Sequence, residues 1–420
     1  MVMSLVSIIA SCGAGDGGSN ATRGGVDGGP GAATSDGDTG DPTEGGSNVA
    51  PTGPTKQICA GRYHTCALRQ DGTIYCWGQG AYRQLGGDYG AQHVARKVDG
   101  IDDARAIDCG DRFTCVVRGG GAAFCFGDND HGQAGTANTN PCGDSTIDSI
   151  CVPTPQPVVG LESDVVELAL GNEHGCARRG DGSVVCWGND ALGQVGDPAL
   201  GDVRAPRLVP GIGSATRIVA GDEHTCVLAA RPGPVTCWGA NDSGQSGHGP
   251  IGNAPGPLPG VVDGITDAVE LVAGGEHTCA IRATGEVMCW GYDYLGQLGN
   301  GSTRPTRTIS PQKVVNLAGA THLAAGRYHT CARKGDGTVA CWGEDGKGEL
   351  GDGSTINQAA PVGVTGVKDT QLVTAGAWHS CAAIADGRIM CWGDDLGAQL
   401  GDDRVSRDPT PNAVAVKGLP

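Results

Sequence analysis

An all-β propeller of seven four-stranded antiparallel blades is the fold this sequence predicts. Three observations carry it: a marker that recurs seven times, a tight hairpin inside each recurrence, and a stretch bearing Pro and Val that ends most of them. The marker is Gly-x-x-His-Thr-Cys, nine residues, then Cys-Trp-Gly. It first appears as Gly61, His64 and Cys66 with Cys76, Trp77 and Gly78. Later copies centre on His174 with Trp187, His224 with Trp238, His277 with Trp290, His329 with Trp342, and His379 with Trp392. The second copy has Phe113 for the His and Phe126 for the Trp, yet Cys115 and Cys125 keep the spacing. From His64 onward the intervals are 49, 61, 50, 53, 52 and 50 residues.

Each unit supplies its own strands. An apolar run such as Arg217-Ile218-Val219-Ala220 leads into the Gly-x-x-His and reads as a buried strand. The two cysteines then face each other across a hairpin: Cys66 opposite Cys76, Ala67 opposite Tyr75, Leu68 opposite Ile74, around the loop Gln70-Asp71-Gly72. Glycine recurs six residues after the first cysteine, as Gly121, Gly182, Gly285, Gly337 and Gly387, where a turn needs positive φ. The fourth unit carries Arg231-Pro232-Gly233-Pro234 and one extra residue, so its turn is expected to be one longer. A glycine-rich turn and a stretch such as Pro311-Gln312-Lys313-Val314 complete four strands. A lone blade cannot cover both faces, and a closed ring can. The chain ends on Thr410-Pro411-Asn412-Ala413-Val414 with no unit after it, so the C-terminal strand is expected to complete the first blade and latch the ring.

Composition narrows the function. The 420 residues carry a net charge of −17, which excludes a basic nucleic-acid binder. With 75 glycines and 17 aromatics, many thin sheets fit better than one thick core. The 19 cysteines point to an oxidising compartment.

Three segments divide the chain: 1–12, 13–54 and a propeller over 55–420. In the first, Leu5-Val6-Ser7-Ile8-Ile9-Ala10 is too short to span a bilayer and reads as a signal core. Ile9-Ala10-Ser11-Cys12 resembles a bacterial lipobox, with Cys12 the acylated residue, although no Lys or Arg precedes the apolar run and the start codon is in question. Residues 13–54 are Gly, Ser, Thr, Asp, Ala and Pro with six acids against Arg23, a composition expected to stay disordered. As a flexible tether of that length it would span roughly 35 Å.

The residues Gly-x-x-His-Thr-Cys-Ala, Asp-Gly-x-x-x-Cys-Trp-Gly and Gly-Gln-Leu-Gly together resemble the regulator of chromosome condensation repeat family over residues 56–420. The resemblance implies a seven-bladed propeller used as an interaction module. The family's name-giving member exchanges nucleotide on a small GTPase and binds chromatin, which makes GTPase regulation the alternative function. The export signal, the acidic N-terminal segment and the cysteine pairs depart from that member, and no exchange residue carries over.

With Cys12 lipidated, eighteen cysteines make nine pairs: seven hairpin pairs (Cys66–Cys76, Cys115–Cys125, Cys176–Cys186, Cys226–Cys237, Cys279–Cys289, Cys331–Cys341, Cys381–Cys391), Cys142–Cys151 closing an insertion, and Cys59–Cys109. Loop-closure entropy sets an upper guide of roughly 2.8 kcal/mol per hairpin disulfide. Two cysteines facing across one hairpin do not supply four zinc ligands, and no metal or cofactor is expected. The repeated histidines and tryptophans read as hydrogen-bonded packing and inter-blade core, because what recurs in every blade serves every blade. Trp378, aligned with Tyr63 and Tyr328, stands outside that pattern and is placed toward a surface. Asx residues after the Trp-Gly (Asn129, Asp190, Asn241, Asp293, Asp345, Asp395) read as Asx-turns, not calcium ligands.

No nucleophile elbow, paired-carboxylate signature or phosphate loop is present, so no catalytic residue is assigned. Binding is sought where units differ: the insertion from Thr136 to Pro157 first, then Gly247 to Gly260. The expected function is non-catalytic binding of a protein or glycan partner by a monomeric propeller, lipid-anchored in a bacterial envelope and facing the periplasm or outside. A lectin-like role requires exposed aromatics at the channel mouth.

Overall fold

A computed structural model describes residues 55–87, 90–138, 140–143 and 149–420, with the backbone alone for 253–257. Cys12 and the tether lie outside the described residues. The described chain forms seven four-stranded antiparallel sheets, each from four consecutive strands. In the first blade these are β1 (Thr55–Ala60), β2 (His64–Arg69), β3 (Ile74–Gly78) and β4 (Gln92–Lys97). In the second they are β5 (Ala104–Cys109), β6 (Phe113–Arg118), β7 (Ala123–Asp128) and β8 (Cys151–Pro157). The first strand of every blade lines a central cavity of about 630 Å³. No helix among the described residues is long and apolar enough to cross a membrane.

The hairpin register is the expected one. Cys66 pairs with Cys76, Ala67 with Tyr75 and Leu68 with Ile74, and Gly72 turns at φ 85°. In the fourth blade Leu228 pairs with Val235, which leaves a turn one residue longer.

Ring closure differs from the expectation. The C-terminal strand, Ser406–Ala415, pairs with its own blade, Cys391 opposite Val414, while the first blade has its own outer strand, with Cys76 opposite Arg96. Repeat and blade are therefore in phase, and no strand is exchanged. The ends meet by flanking contacts: Ala95 N donates to Lys417 O at 2.8 Å and Asp403 N to His93 O at 2.9 Å.

The core lies between blades. Seven apolar clusters occupy the seven seams, each holding one Trp or, in the first-to-second seam, Phe126. All six of these tryptophans are fully buried. Thin sheets with few aromatics thus build a core by repetition, each seam burying side chains from two neighbours.

Candidate binding face at the Gly-x-x-His mouth

The repeated residues are consumed by the seams. His64 Nε2 contacts Thr114 Oγ1 of the next blade at 2.9 Å, and Thr114 donates to the Gln84 carbonyl at 2.9 Å. Because the hydroxyl hydrogen is committed to that carbonyl, Nε2 is the protonated nitrogen and the donor. The motif runs His174–Thr225, His224–Thr278, His277–Thr330, His329–Ser380 and, across the closing seam, His379–Thr65. The Trp of the following blade donates to the same carbonyl that accepts the hydroxyl, as Trp238 Nε1 to Gln194 O at 3.0 Å and Trp77 Nε1 to Gln399 O at 2.9 Å. Burial pushes each of these imidazoles down to about 3, so they stay neutral. A side chain at Gly61 would collide with the His64 ring and the Gly110 carbonyl, which explains the glycine of the marker.

The Asx residues close turns. Asp190 Oδ1 accepts from Val195 N at 2.7 Å and Asn129 Oδ1 from Ala134 N at 3.0 Å, with Asn241, Asp293, Asp345 and Asp395 alike. Cysteine sulfurs meet in nine pairs, the seven hairpin pairs, Cys142 with Cys151, and Cys59 with Cys109. The Cys59–Cys109 pair joins the innermost strands of the first two blades.

What differs between blades is the pair of residues between Gly and His. Each hairpin strand begins at His and ends at the turn, so these pairs gather at one mouth of the channel, opposite the hairpin turns. The mouth has two halves. In blades six, seven and one it carries Arg327, Tyr328, Trp378, Arg62 and Tyr63. The half-buried Trp378 ring lies 5.3 Å from Tyr63, with the guanidinium carbons of Arg62 and Arg327 at 5.0 and 6.0 Å. In blades two to five it carries five acids, Asp111, Glu173, Asp222, Glu223 and Glu276, against Arg112, which lies 3.5 Å from Asp111. Salt bridges cross between the halves: Arg62 to Asp111 at 3.4 Å and Arg327 to Asp222 at 3.3 Å. Gly275 makes room for the second, since a Cβ there would lie 2.9 Å from Arg327 Cγ and 3.0 Å from Asp222 Oδ2.

Burial in the mouth pushes the Asp222 carboxyl up to about 6, Arg327 opposing and Asp111, Glu223 and Glu276 adding to the rise. Glu223 is raised by burial and then by Asp242, Glu276 and Glu173, so the acidic half is crowded with like charge. At its edge Tyr292 stacks on Tyr294 at 4.7 Å and tilts toward Tyr328 at 5.7 Å, and Tyr294 is 48% exposed. Deeper in the channel Glu270 sits among Arg231 at 2.8 Å, His322 at 3.0 Å and Arg217 at 3.8 Å.

The two insertions are more anchored than their composition suggests. Arg83 Nε donates to Cys142 O at 3.0 Å and Ile150 N to Asp130 Oδ1, which ties Cys142 to the first blade and Ile150 to the turn after β7. Most of Gly247 to Gly260 is edge strand, Gly252–Val261, instead of loop. The asymmetric mouth went unread in the sequence apart from Trp378 and its aligned tyrosines. The signal was present at the two positions between Gly and His, which vary among the seven repeats of this chain.

A closed ring with repeated seams and one individually varied mouth defines the molecule as a repeat propeller of the regulator of chromosome condensation type. The chain belongs to the RCC1-like domain family: that family's profile matches residues 142–419, and RCC1 repeat profiles match 55–84, 104–133 and 71–117. Among similar proteins, the rat probable E3 ubiquitin-protein ligase HERC4 is 32% identical over 228 residues, 51% of this chain and 21% of that protein. This chain thus spans about a fifth of that relative's length. The Arabidopsis thaliana ultraviolet-B receptor UVR8 is 28% identical over 324 residues, 72% of this chain and 68% of the receptor. The solved structure of yeast RCC1 (Prp20) with Kap60 bound superposes with a TM-score of 0.73 at 20% identity, covering 84% of this chain and 85% of that one. Human WBSCR16 gives 0.71 at 19% identity, covering 83% and 94%.

Proposed function

We propose that this chain is a non-catalytic binding propeller that engages a protein partner through its Gly-x-x-His mouth, as a monomer. The observation that supports this most is the contrast within each marker: His, Thr, Trp and Cys recur to build seams, while the two residues between Gly and His vary around the ring, with only blades one and six sharing Arg-Tyr, and gather at one surface. We further propose that all nine cysteine pairs are disulfides in the mature protein, that Cys12 carries the acyl anchor, and that the ring faces the periplasm or exterior of a bacterial envelope. The cysteine count and the lipobox-like Ile9-Ala10-Ser11-Cys12 support that location.

A photo-crosslinking residue placed at Tyr294 or Glu276 in the native host is expected to trap a partner. The same probe at Asp386, on a hairpin turn at the other mouth, is expected to trap none. Equal yields from both faces overturn the assignment. A glycan partner is the second reading, favoured by the exposed Tyr294 beside Tyr292, and is checked by a glycan array with Tyr294→Ala as control. Intact mass before and after reduction, with a Cys12→Ala control, tests the location. Unacylated protein with free thiols would instead direct attention to a cytosolic GTPase.

A further inference from the structure

One corner of the ring places more sulfur together than any disulfide needs. On β1 and β2 Cys59 stands directly opposite Cys66, and Cys66 stands opposite Cys76 on β3, so three cysteines form a row across the first blade. Cys109 reaches in from β5 of the second blade to bond Cys59. Ligand atoms of His64, Cys66 and Cys109 lie within 4.8 Å of one another, the one such grouping of His, Cys, Asp or Glu among the described residues. His64 uses Nε2 on Thr114, which leaves its buried Nδ1 with no hydrogen-bond partner. The other five seam histidines also leave Nδ1 unpartnered, but their blades carry no cysteine on the innermost strand.

The two bridges differ in access. Cys59 and Cys109 line the central cavity, Cys109 at 7% exposure, whereas Cys66 and Cys76 are sealed between strands. A small reagent entering the channel meets the inter-blade bridge first.

We propose that the Cys59–Cys109 bridge gates a soft-metal site: once it is reduced, Cys109 and the His64 imidazole, which share one grouping, and Cys59, which lies outside that grouping and joins through its bond to Cys109, bind one thiolate-seeking d¹⁰ cation such as Zn²⁺. The reductant is a small dithiol, which donates two electrons and two protons to the bridge, leaves both cysteines as thiols, and becomes a cyclic disulfide. Metal binding then releases the two thiol protons to solvent. Two thiolates and an imidazole are ligands suited to such an ion. Cys66 supplies a fourth ligand if its own bridge also opens. The site is independent of the partner-binding role proposed for the mouth.

The test uses the full chain. Limited dithiol treatment, with alkylation and peptide mass mapping of a sample, identifies protein in which Cys59 and Cys109 alone are free. After anaerobic removal of the dithiol, Co²⁺ is titrated and then displaced by Zn²⁺. One Co²⁺ per chain with thiolate charge-transfer absorption is expected for the reduced protein, and none for the oxidised protein. Cys109→Ser is expected to weaken binding at least 100-fold. His64→Phe with Thr114→Gly, which copies the Phe113 and Gly175 combination of the next seam and so is expected to fold, should weaken it at least 10-fold and alter the Co²⁺ bands. The proposal is overturned if the opened bridge takes up no Co²⁺, if both variants bind as the parent does, or if opening the bridge abolishes the near-ultraviolet dichroism of the buried tryptophans.

Discussion

The seam between blades two and three differs from the other seams in a way that shows how they work. Elsewhere a buried His meets a Thr or Ser hydroxyl of the next blade. Here Phe113 replaces the His and Gly175 replaces the hydroxyl residue, so both partners are missing together. No polar atom of that pair is left orphaned, and Trp187 still donates to Gln133 O at 2.8 Å. Its ring occupies the vacated space, since a Cβ on Gly175 would lie 2.8 Å from Trp187 Cζ2. The first seam has lost only its Trp, to Phe126, and keeps His64 and Thr114, which satisfy each other without the indole. The lesson is that the His–hydroxyl pair is one unit, while the indole is a separate contributor through packing. That follows from the cost of leaving one buried partner unpaired.

Substitutions that break this contrast rank by what each removes. Trp290→Ala removes the largest side chain of the fourth-to-fifth seam and its bond to Gln245 O, and should cost about 3–5 kcal/mol in urea unfolding.

Next is the position where six blades carry Gln and the sixth carries Glu349. Its Oε2 accepts from Lys347 N at 2.8 Å, its Oε1 is buried without a partner, and burial pushes the carboxyl up to about 8. The folded state therefore holds this proton more tightly than the unfolded chain, whose carboxyl titrates near 4.5. Glu349 costs nothing below that pH; stability falls as pH rises from there to about 8, then levels off. Glu349→Gln should add about 2–4 kcal/mol at pH 8.5 and nothing at pH 4, read from unfolding midpoints at both.

Phe113→His should cost about 1–3 kcal/mol, because the new imidazole faces Gly175 and finds no hydroxyl. Adding Gly175→Ser supplies the hydroxyl but sets a Cβ 2.8 Å from the buried Trp187 Cζ2, so the double variant is expected to stay well below the parent while a double-mutant cycle still gives a favourable coupling of about 1 kcal/mol between the two positions. Additive costs would refute the reading of the pair as one unit. The smallest effect is expected from Cys142→Ser with Cys151→Ser, about 1 kcal/mol, since Arg83 still holds Cys142 O and Asp130 still holds Ile150 N.

Much of this was legible in residue order. The spacing of Cys66 and Cys76 around Gly72 dictates a hairpin with those cysteines opposed, and the structure has that register. The longer fourth turn and the packing role of the repeated Trp were legible for the same reason: each depends on residues within one unit or on recurrence itself. The Asx residues do close turns, but they accept from the N–H five residues on and not two, a wider loop than an Asx-turn. The closing strand was misread because a terminal Pro-and-Val stretch is compatible with either phase of repeat and blade. Only the pairing of Cys391 with Val414 decides between them.

The sequence by itself determined the unit, its hairpin and the sevenfold count, because those rest on local spacing and alternation. The tertiary structure alone decided which segments converge. It set Arg327 of the sixth blade beside Asp222 of the fourth, His379 against Thr65 across 314 residues of chain, and Cys109 beside His64 and Cys66. Those neighbours are fixed by the angle at which whole blades pack around a channel, which no window of a single unit contains.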